Sequence, residues 1–363
     1  MSWRGEIIMN QDKDRVVEYD IMRILACFCV IMIHVAVFEQ DTLFNYRSLD
    51  YQAIKFWGVL SRWAVPAFVM LSGMMVLPHA DEGTIKVLLK KRVFRMLLAY
   101  IVWSGVYSFY NTYILGNIYS TSKIKTFIDG CFSGEIHMWY LPMLAGLYIT
   151  SPLLAILIKN ANRKWTQYWL VCLLIFTSLI PFLEKLNIKF ISTVIGSING
   201  YMDLKFMGGW TLYFVLGYFV QNHFFTQKQK MITYICASMA FIFNVLATIG
   251  YCLIYGEPMG ILAYEYPNII IFSLGVLVFF KENVSKIKLN YRVESYIIFV
   301  SKLTFGIYLS HVLLLKLWYQ VGVNIQICHT TISVPFVASI VFISGAVLTW
   351  LLRKIPFLGH YVV

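Results

Sequence analysis

Two basic side chains on the first apolar stretch, Arg23 and His34, have types and a spacing that could do chemistry. On a helix, the eleven steps between them turn about 1,100°, about 20° past three full turns, so both share one face about 16 Å apart. A guanidinium near one membrane edge could hold a donor molecule, and an imidazole deeper along the same face could take a proton from a reacting group. The plainer alternative is an arginine snorkelling to the interface and a hydrogen-bonded structural histidine.

Three further groups could work with that pair. In Lys90-Lys91-Arg92-Val93-Phe94-Arg95, Arg92 and Arg95 lie three apart and project together, which suits a multivalent phosphate, with Lys91 beside them. An anchor on anionic lipid explains the same residues. The run from Gly134 to Leu141 carries Glu135, His137, Trp139 and Tyr140, a carboxylate, an imidazole and two amphipathic aromatics. These could bind a sugar-like acceptor by stacking and hydrogen bonding, or form an interfacial aromatic belt with a helix-start glutamate. His311 could orient a substrate or His34, or be a satisfied core histidine. No HExxH or other zinc spacing, no GxSxG elbow and no P-loop occurs, so metal, serine-hydrolase and nucleotide-driven chemistry lose support.

The elements that must position these residues cross a membrane. Of 363 residues 59% are hydrophobic and 13% charged, half the charge of an ordinary soluble domain, and the mean hydropathy is +0.69. Many apolar stretches reach the roughly 20 residues that cross a hydrocarbon layer. The predicted fold is an all-α polytopic bundle of about ten transmembrane helices: 20–38, 54–78, 93–115, 137–158, 166–183, 209–224, 231–255, 264–280, 295–319 and 331–352. Residues 1–19 form an N-terminal segment and residues 20–363 a single transmembrane domain, without a cleavable signal peptide. The loop from Lys185 to Gly208 reads as a re-entrant or interfacial element on the outer side, able to line an acceptor site.

The net charge of +12 follows from topology and calls for no nucleic acid. Of the 30 Lys and Arg residues, 19 fall in one alternating set of inter-helix segments and 7 in the other. The remaining four, Arg23, Arg62, Lys302 and Lys316, lie inside helices, where each is a functional candidate unless it snorkels, as Lys302 and Lys316 are expected to do. The alternation puts both termini in the cytoplasm. Seven cysteines without CxxC spacing read as small core residues.

The same residues carry a family resemblance. Glu18 to Arg23 with His34 resembles the Arg-x10-His signature of the acyltransferase family three membrane proteins, as does the block from Val65 to Gly73. Arg92 and Arg95 match that family's RxxR element, and His137 to Leu141, Tyr213 to Gly217 and Phe305 to His311 are similar to its later blocks. Six blocks keep their order from residue 18 onward. Within the family the chain is similar to the short surface-polysaccharide O-acetyltransferases of the enterobacterial common antigen type, and to the membrane half of vancomycin-resistance serine racemases. Members with an attached esterase-like domain are longer, so transfer is expected to finish within the membrane domain.

The resemblance implies a multi-pass acyltransferase of the inner (plasma) membrane, with acetyl-CoA or a related acyl-CoA as co-substrate and no metal. The acceptor it implies is a hydroxyl of a cell-envelope glycan or lipid-linked saccharide. Arg23 and His34 become essential, the CoA phosphates are expected to rest on Lys91, Arg92 and Arg95, and Glu135 is the expected acidic partner, either orienting an imidazole or gripping the acceptor. His34 acts as general base on the acceptor hydroxyl or as a transient acyl-imidazole. The alternative class is a transporter or flippase, with Arg23, His34 and Arg62 lining a path for a small polar solute or lipid-linked sugar.

Overall fold

A computed structural model of the protein describes residues 16–38, 45–80, 85–120, 122–186 and 208–363, and these are helical with no strand among them. Nine helices are long and apolar enough to cross a bilayer. They are α1 (Val17–Phe38), α2 (Leu49–His79), α3 (Ile85–Ile114), α4 (Tyr140–Asn160), α5 (Arg163–Lys185), α7 (Gln227–Tyr255), α8 (Pro267–Lys286), α9 (Tyr291–Gln320) and α10 (Thr330–Leu352). At the sixth place stands α6, Trp210–Gln221, whose 12 residues are only about 18 Å long. The protein is therefore a multi-pass membrane protein with its helices in the expected order. The loop expected to line an acceptor site falls almost wholly at 187–207, outside the described residues.

Two departures from the expected helices matter for the site. First, α2 is broken: one segment ends at Leu60 and the next begins at Ala64. The cause is Pro66, which has no N–H to give and whose ring excludes the carbonyl of the residue four earlier, Arg62. The break turns Arg62 inward. Second, α4 begins at Tyr140, and Glu135 to Trp139 form turns ahead of it, with Met138 N–H on the Glu135 carbonyl at 2.8 Å. His137 therefore stands on a turn, not on the helix.

Close packing fixes the centre of the bundle. Gly73 on α2 faces Gly217 on α6. A Cβ at Gly73 would lie 1.9 Å from the Phe214 carbonyl oxygen, and one at Gly217 would lie 2.0 Å from that of Met70. The two backbones touch, as small residues allow in a membrane where hydrophobicity does not drive helices together. Apolar side chains face outward instead. On α4, Ile149, Leu153, Ile156 and Leu157 form an exposed stripe at helical spacing while Leu144, Tyr148, Ala155 and Ile158 are buried.

Helices α1 and α9 run parallel and touch at three levels. Ser301 donates to Asp20 at 2.5 Å, the Cys27 thiol points to the Thr304 carbonyl at 3.6 Å, and His34 meets His311 at 5.0 Å between ring centroids. Asp20, Cys27 and His34 are seven residues apart, so one face of α1 makes all three contacts. At the Asp20 end, Arg353 bonds the Lys302 carbonyl at 3.0 Å and Arg95 the Val363 carbonyl at 2.8 Å. The start of α1 and Val363 therefore lie at the same end of the bundle.

Candidate active site

Three imidazoles from three parts of the chain converge in the half of the bundle remote from Arg23. Ring centroids are 5.0 Å apart for His34 and His311, 5.9 Å for His34 and His137, and 4.7 Å for His137 and His311. His137 and His311 are buried at 2% and 0% exposure, whereas His34 keeps partial access and lines a cavity. His34 is thus the most accessible of the three imidazoles. His311 Nδ1 lies 2.5 Å from the Tyr308 carbonyl. A carbonyl only accepts, so Nδ1 carries the proton and Nε2, which has no partner, offers its lone pair to the cluster.

Tyrosines frame the imidazoles. Tyr107 packs edge-on to His137 at 5.2 Å, with its hydroxyl donating to the Leu309 carbonyl at 2.9 Å and accepting from Leu313 N–H at 3.0 Å. The Tyr308 hydroxyl bonds the His137 carbonyl, tying the turn before α4 to α9. Both anchors hold the cluster to backbone, which cannot change rotamer.

Glu135 is engaged elsewhere than on an imidazole. Its carboxylate takes Lys316 Nζ at 2.6 Å and Asn111 Nδ2 at 3.1 Å, and Lys316 also reaches Asn111 Oδ1 at 2.9 Å. Burial alone would raise the Glu135 carboxyl, but the Lys316 ammonium and Asn111 together hold it below the usual carboxylate range. Lys316, expected to snorkel, is instead paired inside the protein at 14% side-chain exposure. This closed triad borders a second cavity, of about 230 Å³, whose wall includes Tyr107, Thr126, Asp129 and Glu135.

The cavity at His34 measures about 180 Å³ and is lined by Arg62, Phe68, His137, Trp139, Tyr140, Tyr264 and Tyr308 among others. Trp139 and Tyr264 face each other across 6.4 Å, and Trp210 packs 5.2 Å from Trp139 and 5.4 Å from Tyr264. Tyr213 fixes Tyr264 by donating to its carbonyl at 2.6 Å. These rings, flat and apolar with polar edges, form one side of the cavity and its surroundings. Of the expected acceptor residues, Trp139 and Tyr140 line it with His137, while His311 stands behind as a neighbour of His34.

The expected donor residues lie at the other end. Arg23 pairs with Asp20 at 3.0 Å, on the His34 face of α1. Lys91 is exposed. Arg92 lies over the Tyr148 ring at 5.9 Å, while Arg95 lies over Phe305 at 5.3 Å and bonds Val363. The helix makes a wide turn over Leu88–Val93, and the two side chains take different neighbours. Among the described residues no three His, Cys, Asp or Glu side chains are grouped so as to hold a metal ion.

Tyr107, Tyr308, Trp210 and Tyr264 are not marked out as site residues by the sequence, where Arg62 shows as an intramembrane charge and a candidate lining of a solute path. Aromatic residues abound in this chain, so type alone carried no signal. Pro66 could have pointed to Arg62, because it breaks the helix at that residue.

A membrane-embedded bundle with a buried imidazole cluster beside an aromatic cavity is the frame of a membrane enzyme. The sequence profile of a family described as an acyltransferase domain matches residues 16–354. The chain belongs to that acyltransferase family. YfiQ of Bacillus subtilis (strain 168), a presumed membrane-bound acyltransferase, is 19% identical over 354 residues, which cover 94% of this chain and 92% of the relative. No solved structure matches the chain.

Proposed function

We propose that this acyltransferase moves an acetyl or similar acyl group from cytoplasmic acyl-CoA to a hydroxyl of a cell-envelope glycan or lipid-linked saccharide at the outer face of the inner membrane. The observation that carries it is the placing of His34: partly accessible, on a cavity walled by Trp139, Tyr140 and Tyr264, with two further imidazoles behind it. Family membership supplies the reaction class. The excess of Lys and Arg in alternate loops supports cytoplasmic termini and puts Arg23, Lys91, Arg92 and Arg95 on the donor side.

In this reading the CoA phosphates meet Arg92, Arg95 and Lys91, and the pantetheine arm follows α1 past Arg23 toward His34. Neutral His34 takes the proton of the acceptor hydroxyl as its oxygen attacks the thioester carbonyl. The C–S bond breaks, and the thiolate leaves with the proton relayed from His34. His311, with Nδ1–H on Tyr308 and a bare Nε2, accepts a hydrogen bond from His34 and orients it, the role first expected of Glu135. Glu135 and Lys316 then serve as a fixed wall beside Tyr107. The broken α2 is a feature that a carrier reading also expects, but here it builds the acceptor cavity.

The donor half is tested by calorimetric binding of acetyl-CoA to wild type and to the double variant Arg92→Ala with Arg95→Ala in nanodiscs. Binding by wild type and about a hundredfold weaker binding by the variant, as expected for two lost charge-assisted phosphate contacts, supports the assignment. No binding by folded wild type removes it.

A further inference from the structure

Arg62 is turned into the His34 cavity by the break at Pro66. Its Nε donates to the Leu262 carbonyl at 2.6 Å, and its guanidinium lies over the Tyr264 ring, 4.4 Å from the centroid. That uses one of five N–H donors and provides no counter-charge. Among the described residues no carboxylate pairs with it.

Two other cations inside membrane spans each have a carboxylate partner. Arg23 has Asp20 at 3.0 Å and Lys316 has Glu135 at 2.6 Å. Among the described residues no Asp or Glu lines the cavity, whose ionisable members there are His34, Arg62, His137, Tyr140, Tyr264 and Tyr308. A partly buried cation inside a membrane span is costly without a partner, and such residues mark ligand sites. Arg62 is also held from behind by carbonyl and ring, which pre-organises its remaining donors.

We infer that the cavity receives an anionic group of the acceptor, a carboxylate or a phosphate, and that Arg62 holds it through a paired guanidinium contact. The sugar ring then rests against Trp139 and Tyr264, and a hydroxyl beside the anion is presented to His34. The inference rests on the acceptor reading of this cavity and narrows its substrate class to acidic or phosphorylated saccharides. Arg62 is a specificity-determining residue, separate from the proton transfer at His34.

The test uses no CoA, so failure of acyl transfer leaves its readout intact. Wild-type protein in phosphatidylcholine nanodiscs is titrated calorimetrically with methyl β-glucuronide, glucose 1-phosphate and methyl β-glucoside. An anionic sugar is expected to bind at least about tenfold tighter than the neutral one, as for one charge-assisted contact. Arg62→Gln is expected to abolish that difference. Arg62→Lys, which keeps charge but not the fork, is expected to retain part of it and guards against a folding artefact in Arg62→Gln. A parallel arm adds phosphatidylglycerol to the nanodisc. Stabilisation of wild type but not of Arg62→Gln, without binding of soluble anionic sugars, makes the anion a lipid headgroup and overturns the saccharide assignment. Equal binding of neutral and anionic sugars, or no Arg62-dependent response to sugar or lipid anion, overturns it.

Discussion

The imidazoles of His34 and His311 stand 5.0 Å apart at the third contact level of two parallel helices, with His311 Nδ1 tied to its own helix at the Tyr308 carbonyl. Fixing one nitrogen by a carbonyl fixes the tautomer, and the free Nε2 is the atom that can orient His34. Amide substitutions separate the two nitrogens. His311→Gln puts a polar atom where Nε2 stands, and His311→Asn keeps only the Nδ1 position. His311→Asn is expected to lower kcat for acetyl transfer by about tenfold to a hundredfold with KM for acetyl-CoA unchanged, below the 10²–10⁴-fold of the base itself. His311→Gln is expected to lose less. Equal loss by both, or a change confined to KM, would speak for a packing role.

The pair of Lys316 and Glu135 has a stability consequence. Each side chain is 14% exposed, so removing one partner strands a charge. Lys316→Ala is expected to cost about 3–5 kcal/mol, and the double change Lys316→Met with Glu135→Leu to recover most of it. Thermal unfolding in nanodiscs reads both.

The same pair gives a pH dependence. The Glu135 carboxyl is raised by burial but brought below its usual range by Lys316 and Asn111. Its contribution is complete above the unfolded carboxylate's value of about 4.3 and is lost as pH falls through the lower folded value. Melting temperatures taken from pH 7 to pH 3 should show a component of loss below about pH 4.3 in wild type that is absent in Glu135→Gln.

The crossing of α2 and α6 tolerates no side chain at its centre. With a backbone oxygen 2.0 Å from the Cβ position, Gly217→Ala must push the helices apart, and a loss of about 1–3 kcal/mol or more is expected. Gly58, with no atom within 4 Å of its Cβ position, is the control, and Gly58→Ala should leave the stability within about 0.5 kcal/mol of wild type.

The helices were legible because membrane spans announce themselves in apolar run length, and the Arg23 and His34 face because both residues sit on one helix. What spacing could not reveal is convergence between helices. His34, His137 and His311 meet only after α1, α9 and the turn before α4 pack, and Lys316 finds Glu135 across 181 residues of chain. For that reason the partners of the Glu135 carboxylate, Lys316 and Asn111, are not legible in the spacing. Arg62 stands out as an intramembrane charge, but its place in the cavity depends on Pro66, which breaks the turn before it where apolar run length alone predicts one continuous helix. Arg92 and Arg95 keep their three-residue spacing, but the wide turn at Leu88–Val93 gives them separate neighbours, an irregularity that residue types do not announce.

The central claim is that His34 performs the transfer chemistry. The most direct measurement is the rate of acetyl-CoA thioester loss by protein in nanodiscs supplied with an acceptor glycan, for wild type and His34→Ala, with acetyl-CoA binding followed on the same samples. The account predicts unchanged binding and a rate about 10²–10⁴-fold lower in His34→Ala. Wild-type turnover by His34→Ala, with the fold intact, would contradict it.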